Sequence, residues 1–209
     1  HKEDPMTSEK IRPALRSQRL NLATNTPHEH LDKAVKANAP FETLASYSRF
    51  LVAQYLFQAE LKALYNDPEL VAIIPDLPGR CRAEQALADL ADLQTEVPQS
   101  VPGALVAPSR AQALGWLFVS EGSKLGAAFL IKRAVALNLS AEFGARHLGE
   151  PAGGRAEGWK SFIRTLDALP FSEEEETQIE QAAVDAFERF NVLLNHAYAT
   201  APASLMAES

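Results

Sequence analysis

The sequence is poor in cysteine and in long apolar runs, and both shortages restrict its chemistry. A single cysteine, Cys81, excludes an internal disulfide and cannot by itself hold an iron–sulfur cluster or a structural zinc ion. The apolar stretches 50–57 and 125–131 are much shorter than the roughly 20 residues that a membrane-spanning helix needs. We therefore expect a protein of the reducing cytoplasm that does not enter a membrane.

Positive charge is also scarce. The net charge is −7, with 20 lysines and arginines against 27 acidic residues, which argues against general binding to nucleic acids. Arg12, Arg16 and Arg19 follow helical spacing and could form a local basic stripe, although a solvated helix face is the simpler interpretation. A strand followed by GxGxxG and a helix is missing, so any electrons must come from another protein, for which the stripe is a candidate docking site.

Strand-like alternation is almost absent, whereas alanine, leucine, glutamate and arginine dominate long segments, so we predict an all-α fold. Residues 7–198 are interpreted as a single domain, 1–6 as an expression scar, and 199–209 as a flexible tail. Ser172 and Glu175 form a predicted capping box. Helices are predicted at 8–37, 41–65, 67–74, 80–93, 109–138, 140–146, 155–168 and 173–198, with breaks at the proline and glycine clusters 75–79, 98–108 and 151–154.

One histidine in the first predicted helix is a candidate ligand. Thr26, Pro27 and Glu29 could start a helix at this point, or Pro27 could kink a longer one. At about 100° per residue, His28 shares a face with apolar residues, so we expect it to point inward and His30 to point to water. A lone histidine on such a face is usually a core residue, and a ligand role is the alternative.

A cation two turns further on favours the ligand role for His28. Lys36 lies close to His28 around the helix and could meet a carboxylate of a molecule already held by the imidazole. His147 and His196 are weaker candidates for the same role.

A second feature is a glycine face on an otherwise strongly helical segment, 113–129. Gly115, Gly122 and Gly126 together cost a helix roughly 1.5–3 kcal/mol relative to alanine, so a compensating role is expected. Phe129 and Arg133 lie on the same face. The face either packs closely against another helix or lets a flat ligand approach the backbone, and the sequence alone leaves both open.

These two features together suit a flat iron macrocycle. Such a ligand needs an axial ligand on one side, a close but uncrowded wall on the other, and cations for its propionates. His28, the Gly122 and Gly126 face, and Lys36 with Arg133 could supply these three parts.

The chain resembles the bacterial biliverdin-producing heme oxygenases used in iron acquisition. The resemblance extends from about residue 15 to residue 194. It is carried by the segments 21–28, 54–58, 114–129, 143–148 and 158–162. The block 115–129, with its glycines, is the most specific of these.

The resemblance implies a compact helical fold that holds heme between a proximal and a distal helix. His28 would be the proximal iron ligand, and Gly122 and Gly126 the catalytic distal-helix glycines. Ser123 occupies the position where mammalian-type members place an aspartate that organises water, so proton delivery would rely on other polar groups. The remaining implied heme contacts are Asn21, Lys36 and Arg133 near the propionates, and Phe118 and Phe190 in the pocket wall.

The resemblance further implies that heme b is both substrate and cofactor, and that O2 and electrons open its ring to biliverdin, CO and ferrous iron. An external ferredoxin or flavin reductase would donate the electrons, and the enzyme is expected to be a monomer. The alternative function is a non-catalytic heme-binding protein for storage or delivery. A third possibility is a helical scaffold whose glycine face only packs against another helix.

Overall fold

The structure is a computed structural model that describes residues 12–200, and within this range it contains nine α-helices, one short 3-10 helix and no β-strand. The all-α prediction is confirmed. The presumed expression scar at 1–6 and all but two residues of the expected tail lie outside the described residues. The helices are α1 (Arg16–Ala23), α2 (Asn25–Ala37), α3 (Leu44–Tyr65), α4 (Pro68–Val71), α5 (Leu77–Arg80), α6 (Ala83–Asp92), α7 (Arg110–Val135), α8 (Arg155–Ala168) and α9 (Glu173–Ala199).

The long helices begin at side-chain caps that the sequence encodes. Ser172 and Glu175 form the predicted capping box at the start of α9. A second capping box, which the sequence analysis missed, joins Ser109 and Gln112 at the start of α7. These caps fix where α7 and α9 begin, and α7 carries the whole glycine face.

The predicted first helix, 8–37, is broken at Thr24, and its described part begins only at Arg16. Thr26 is not the cap, because Thr24 occupies that position and its hydroxyl donates to the Leu20 carbonyl at 2.7 Å. The reason lies in Pro27, which has no N–H to donate to the carbonyl of Ala23, the last residue of α1. The chain therefore bends just ahead of the first turn of α2, which contains His28.

The predicted helix at 140–146 is wrong. This segment is a turn in which Ser140 bridges to Phe143 and Gly144, followed by a 3-10 helix, Arg146–Leu148. Carboxylates of α6 take the backbone N–H groups that a helix would need: Asp92 accepts from Gly144, and Asp89 accepts from the residues at 146 and 147. Tertiary hydrogen bonds thus override the local helical composition.

The region between α3 and α6 also departs from prediction. Only Pro68–Val71 is helical in the predicted helix 67–74, and the predicted break at 75–79 contains the short helix Leu77–Arg80. In both short helices a proline occupies the first turn, where its missing N–H costs little. The predicted helix 80–93 correspondingly begins later, at Ala83.

Helix α9 is the central element that positions the others. It packs against α1, α2, α3 and α7, and one buried apolar cluster extends from Leu20 to Ala197. Helix α2 contributes no fully buried side chain, and packs through the partly buried residues Leu31, Ala34 and Val35. It therefore lies on the outside of α9 with its opposite side open.

Helix α7 is long and apolar enough, by length and composition, to cross a membrane. Half of its most apolar window is buried inside this structure, and the helix carries the ion-paired residues Glu121 and Lys124. A buried core helix of a soluble protein passes the same test, so this feature carries little weight as evidence for a membrane span.

Candidate heme site

The glycine face of α7 changes its role along the helix. A Cβ at Gly115 would come within 2.5 Å of the Ile179 carbonyl oxygen and 2.7 Å of the Ala182 Cβ. Gly115 therefore permits the close packing of α7 on α9, and its inclusion in a ligand-binding face is corrected. A Cβ at Gly122 would meet the indole of Trp159 at 3.6 Å.

The last glycine of the face adjoins open space. Within the described range, no heavy atom outside the local helix lies within 4 Å of where a Cβ would stand at Gly126. One turn further, the side chain of Phe129 is 71% exposed, although it belongs to an apolar helix. An open backbone surface next to an exposed aromatic ring can accommodate a flat apolar molecule.

The two cations expected at the site are both available to a ligand. Lys36 at the end of α2 and Arg133 near the end of α7 are exposed, and neither forms an ion pair with any residue from 12 to 200. The guanidinium carbon of Arg133 lies 5.0 Å from the centroid of the Phe41 ring, in the α2–α3 connection. This cation–π contact orients Arg133 while leaving its donors free.

His28 lies at the surface, so the prediction that it faces the core is wrong. Its side chain is 60% exposed, and its ring stacks on Phe187 of α9 with centroids 5.0 Å apart and planes inclined by 27°. The Nε2 atom lies 3.7 Å from the Oδ2 atom of Asp32, one turn along α2. An exposed yet oriented imidazole differs from a core histidine and is open to a ligand.

The other predicted site residues lie in different environments. Phe118 and Phe190 are almost fully buried, Phe118 against Trp159 at a centroid distance of 5.6 Å and Phe190 edge-on to Phe57 at the same distance. Asn21 is exposed on α1. Ser123 is exposed on α7, and its hydroxyl donates to the Ser120 carbonyl at 2.6 Å. Its oxygen retains lone pairs for a further acceptor role.

Four residues at the site were missed by the sequence analysis. Asp32 could have been found from its i, i+4 spacing to His28, and Trp159 stands within one of the recognised segments. Phe187 and Phe41 had no local signal, because each contacts a residue far away in the sequence.

The predicted basic stripe is not a free docking surface. The Nε and Nη2 atoms of Arg16 donate to the carboxylate of Glu176 at 2.9 and 2.6 Å, and Arg19 donates to the same carboxylate at 3.2 Å. Arg12 pairs with Glu180 at 3.0 Å. The three arginines thus attach α1 and the chain before it to the acidic first part of α9.

A bare metal ion does not fit this arrangement. Among residues 12–200, no cluster of three or more histidine, cysteine, aspartate or glutamate side chains could hold one. One accessible imidazole, two unpaired cations and an open apolar face instead fit a macrocycle that brings its own metal and carboxylates. The helical fold and this set of residues are those expected of a heme-binding protein.

Comparison with known proteins gives the family. The sequence profile of the family described as heme oxygenase matches residues 15–196. Heme oxygenase PigA of Pseudomonas aeruginosa is 52% identical over 197 residues, which are 94% of this chain and the full length of that protein. A crystal structure of the NO- and CO-bound heme oxygenase of Neisseria meningitidis superposes with a TM-score of 0.83 at 35% identity, covering 90% of this chain and 94% of the other. The chain belongs to the heme oxygenase family, and it is an enzyme whose substrate is heme.

Proposed function

We propose that this enzyme opens heme b to biliverdin, CO and ferrous iron while the ring lies between α2 and α7, with His28 on the iron and the Gly126 side facing oxygen. The observation that carries the assignment is the open space at Gly126, with the exposed Phe129 and the unpaired Arg133 further along the same helix. Together with the accessible imidazole of His28, these features supply the three parts that a porphyrin with two propionates requires, which are an iron ligand, an uncrowded wall and cations.

His28 would hold the heme iron through its imidazole, the usual protein ligand where oxygen is bound or activated without thiolate donation. Phe187 restricts the rotation of its ring from the side of α9. The carboxylate of Asp32 stands beside the ring, with its Oδ2 atom 3.7 Å from Nε2, and would be available as a hydrogen-bond acceptor for the imidazole.

Heme, when bound, supplies the redox-active iron at which O2 is activated. The protein would position the ring and leave room for oxygen beside it. Gly122 and Gly126 present backbone without side chains, so a diatomic molecule can lie close to the helix. The relative from Neisseria meningitidis binds NO and CO, which supports a site for small gases here. Ser123 adds a hydroxyl oxygen that can hold an ordered water at the same surface.

Lys36 and Arg133 would bind the propionates, and Asn21 would add a polar contact. Because Arg133 is held against Phe41, one propionate position is more strictly defined than the other. This pair of cations would set the orientation of the bound ring, and that orientation would determine which bridging carbon is cleaved.

Electrons would come from a separate ferredoxin or flavin reductase, since the sequence lacks a dinucleotide-binding loop and cysteines for a cluster. A role in iron acquisition, a cytoplasmic location and a monomeric state remain predictions. A heme storage or delivery protein would share the site but would not consume the ring.

A single-turnover experiment on His28→Ala tests the proposal, with His30→Ala as the matched control on the same helix. The wild-type hemin complex is reduced without oxygen and then exposed to air. Loss of the Soret band with release of bilin is expected for the wild type and for His30→Ala, whereas His28→Ala loses axial imidazole ligation and most of its turnover. Normal spectra and turnover in His28→Ala would refute the iron ligand, and unchanged ferric heme in the wild type would identify a carrier.

A further inference from the structure

We propose that Glu121 is a positioning residue whose buried carboxylate holds α8, and with it Trp159, in place beside Gly122, and so sets the room on the oxygen side of the ring. The inference rests on the proposed function, because it assumes that Gly122 and Gly126 face oxygen. Glu121 immediately precedes Gly122 in α7.

The carboxylate of Glu121 is fully engaged inside the protein. Its residue is only 2% exposed. One oxygen accepts from the Nη1 atom of Arg80 at 3.0 Å, and the other accepts from the Tyr65 hydroxyl at 2.7 Å and lies 2.9 Å from the Nζ atom of Lys124. Two cations and a phenol therefore surround a single buried negative charge.

Arg80 also contacts a third helix, α8, and Lys124 supports Arg80. Arg80 donates from the same Nη1 atom to the Gly158 carbonyl of α8 at 3.1 Å, and Lys124 donates to the Arg80 carbonyl at 2.6 Å. Gly158 directly precedes Trp159, the residue that faces Gly122. The path from the carboxylate to the oxygen side thus consists of one guanidinium, one backbone carbonyl and one indole.

The polar neighbours keep this arrangement in one state. Burial, followed by the negative charge of Glu121, raises the pKa of Tyr65 well above its ordinary value, so its hydroxyl remains a donor. Ser120 contacts the same hydroxyl at 2.6 Å and accepts from Gln58 at 2.9 Å, which ties the cluster to α3. A buried charge that loses its partner is costly, so the cluster resists partial opening.

Removing the charge of Glu121 should release Arg80 from α7 and weaken the hydrogen bond from Arg80 to the Gly158 carbonyl. Trp159 would then be free to move away from Gly122. A role limited to global stability predicts a lower melting temperature with the local surroundings of Trp159 and of bound gas unchanged. The two roles can therefore be separated by local probes measured well below the unfolding transition.

The test uses Glu121→Gln, which keeps the shape and the contact with Tyr65 while removing the charge. The sequence contains two tryptophans, so a Trp116→Phe background leaves Trp159 as the only indole. Acrylamide quenching of the heme-free protein reports on the indole, and the C–O stretching frequency of the reduced hemin complex with CO reports on the oxygen side. Lys62→Met, which removes the exposed pair of Lys62 with Glu84 at 2.8 Å, is the matched control.

Glu121→Gln is expected to raise the quenching constant of Trp159 at least twofold and to shift or broaden the C–O band, while hemin affinity stays within about twofold. Lys62→Met should change neither readout. If Glu121→Gln does not fold, Arg80→Lys carries the test, because lysine keeps the charge but lacks the planar fork that spans Glu121 and Gly158.

Unchanged quenching and an unchanged C–O band in a folded variant would overturn the positioning role. A wild-type protein that binds no hemin through His28 would instead overturn the proposed function. In that case the quenching arm, which needs no heme, still decides whether Glu121 positions Trp159. The two failures are thus distinguishable.

Discussion

The imidazole of His28 stacks on the phenyl ring of Phe187, with the ring centroids 5.0 Å apart. This contact joins α2 to α9 at the residue proposed to bind iron. Helix α2 has no fully buried side chain, so the stack is one of the few interactions that fix the direction of the imidazole. Phe187 therefore restricts the orientation of His28 before any heme is bound.

Replacing Phe187 with alanine should weaken hemin binding. An aromatic pair contributes about 0.5–1.5 kcal/mol beyond its buried area, which corresponds to about a 2- to 12-fold loss of affinity. Hemin titration followed at the Soret band measures this change. Phe187→Tyr keeps the ring and should bind as the wild type does; equal affinities of the alanine and tyrosine variants would remove Phe187 from the site.

Two alanine substitutions in α7 should have opposite effects on the stability of the heme-free protein. Gly115→Ala places a methyl group against the backbone of α9 and should destabilise by about 1–3 kcal/mol. Gly126→Ala faces open space and should stabilise by about 0.5–1 kcal/mol through helix propensity. Urea unfolding of the heme-free variants gives both values.

The same two glycine substitutions distinguish a packing role from a role in the reaction. Gly126→Ala should yield less bilin in a single turnover despite its greater stability, because the methyl group occupies the space proposed for oxygen. An alanine at Gly126 that leaves bilin yield intact would show that this space is not needed for the reaction.

Loss of either proposed propionate-binding cation, Lys36 or Arg133, should change the ratio of the bilin isomers. Lys36→Ala and Arg133→Ala each remove one proposed propionate partner, and an exposed pair of this kind changes affinity by only about two- to fivefold. The orientation of the ring should change more than its affinity, and chromatography of the extracted bilin measures the isomer ratio. Arg133→Lys keeps the charge but loses the planar stack on Phe41, so it should give an intermediate ratio.

The Arg16 and Glu176 pair should make stability depend on acid. The hydrogen bond from Arg16, opposed in part by burial and aided by Arg19, lowers the pKa of Glu176 below its usual 4.5. A carboxylate whose pKa is lower in the folded state than in the unfolded state stabilises the fold at every pH above the unfolded-state pKa. That stabilisation is lost as the pH falls through the folded-state pKa.

Glu176→Gln should therefore cost about 3 kcal/mol near neutral pH and flatten the loss of stability below pH 4.5. Urea unfolding at neutral and at acid pH measures both effects. Glu173→Gln, at a position 91% exposed on the same helix, should leave the acid dependence in place. If the free energy of unfolding of Glu176→Gln falls with acid as steeply as that of the wild type, Glu176 is not the source of the acid dependence.

The sequence predicted helices well where local signals agree and poorly where distant residues compete. The boundaries of α8 were predicted as observed, and the capping box at Ser172 marked the start of α9. The segment 140–146 has a helical composition, but Asp89 and Asp92 on α6 capture its N–H groups. No pattern within that segment reveals those partners.

The candidate site shows the same division. Helical spacing was enough to select five candidate residues from the sequence, namely His28, Lys36, Arg133 and the two distal glycines. The exposed environment of His28 could not be predicted from the sequence, since the face of α2 that carries His28 was expected to point inward. Gly115 repeats the same period and still serves packing, because only the position of α9 distinguishes it from Gly126.

The sequence alone determined that this chain is helical, that one helix carries a glycine face, and that the chain resembles the heme oxygenase family, because each of these depends on motifs whose residues lie near one another along the chain. Which glycine faces a neighbouring helix, which faces an indole and which faces open space was decided only by the tertiary structure. Those differences arise where Gly115 meets Ile179 of α9 and Gly122 meets Trp159 of α8, contacts that span 64 and 37 residues of the chain, and local periodicity carries no information about such distant partners.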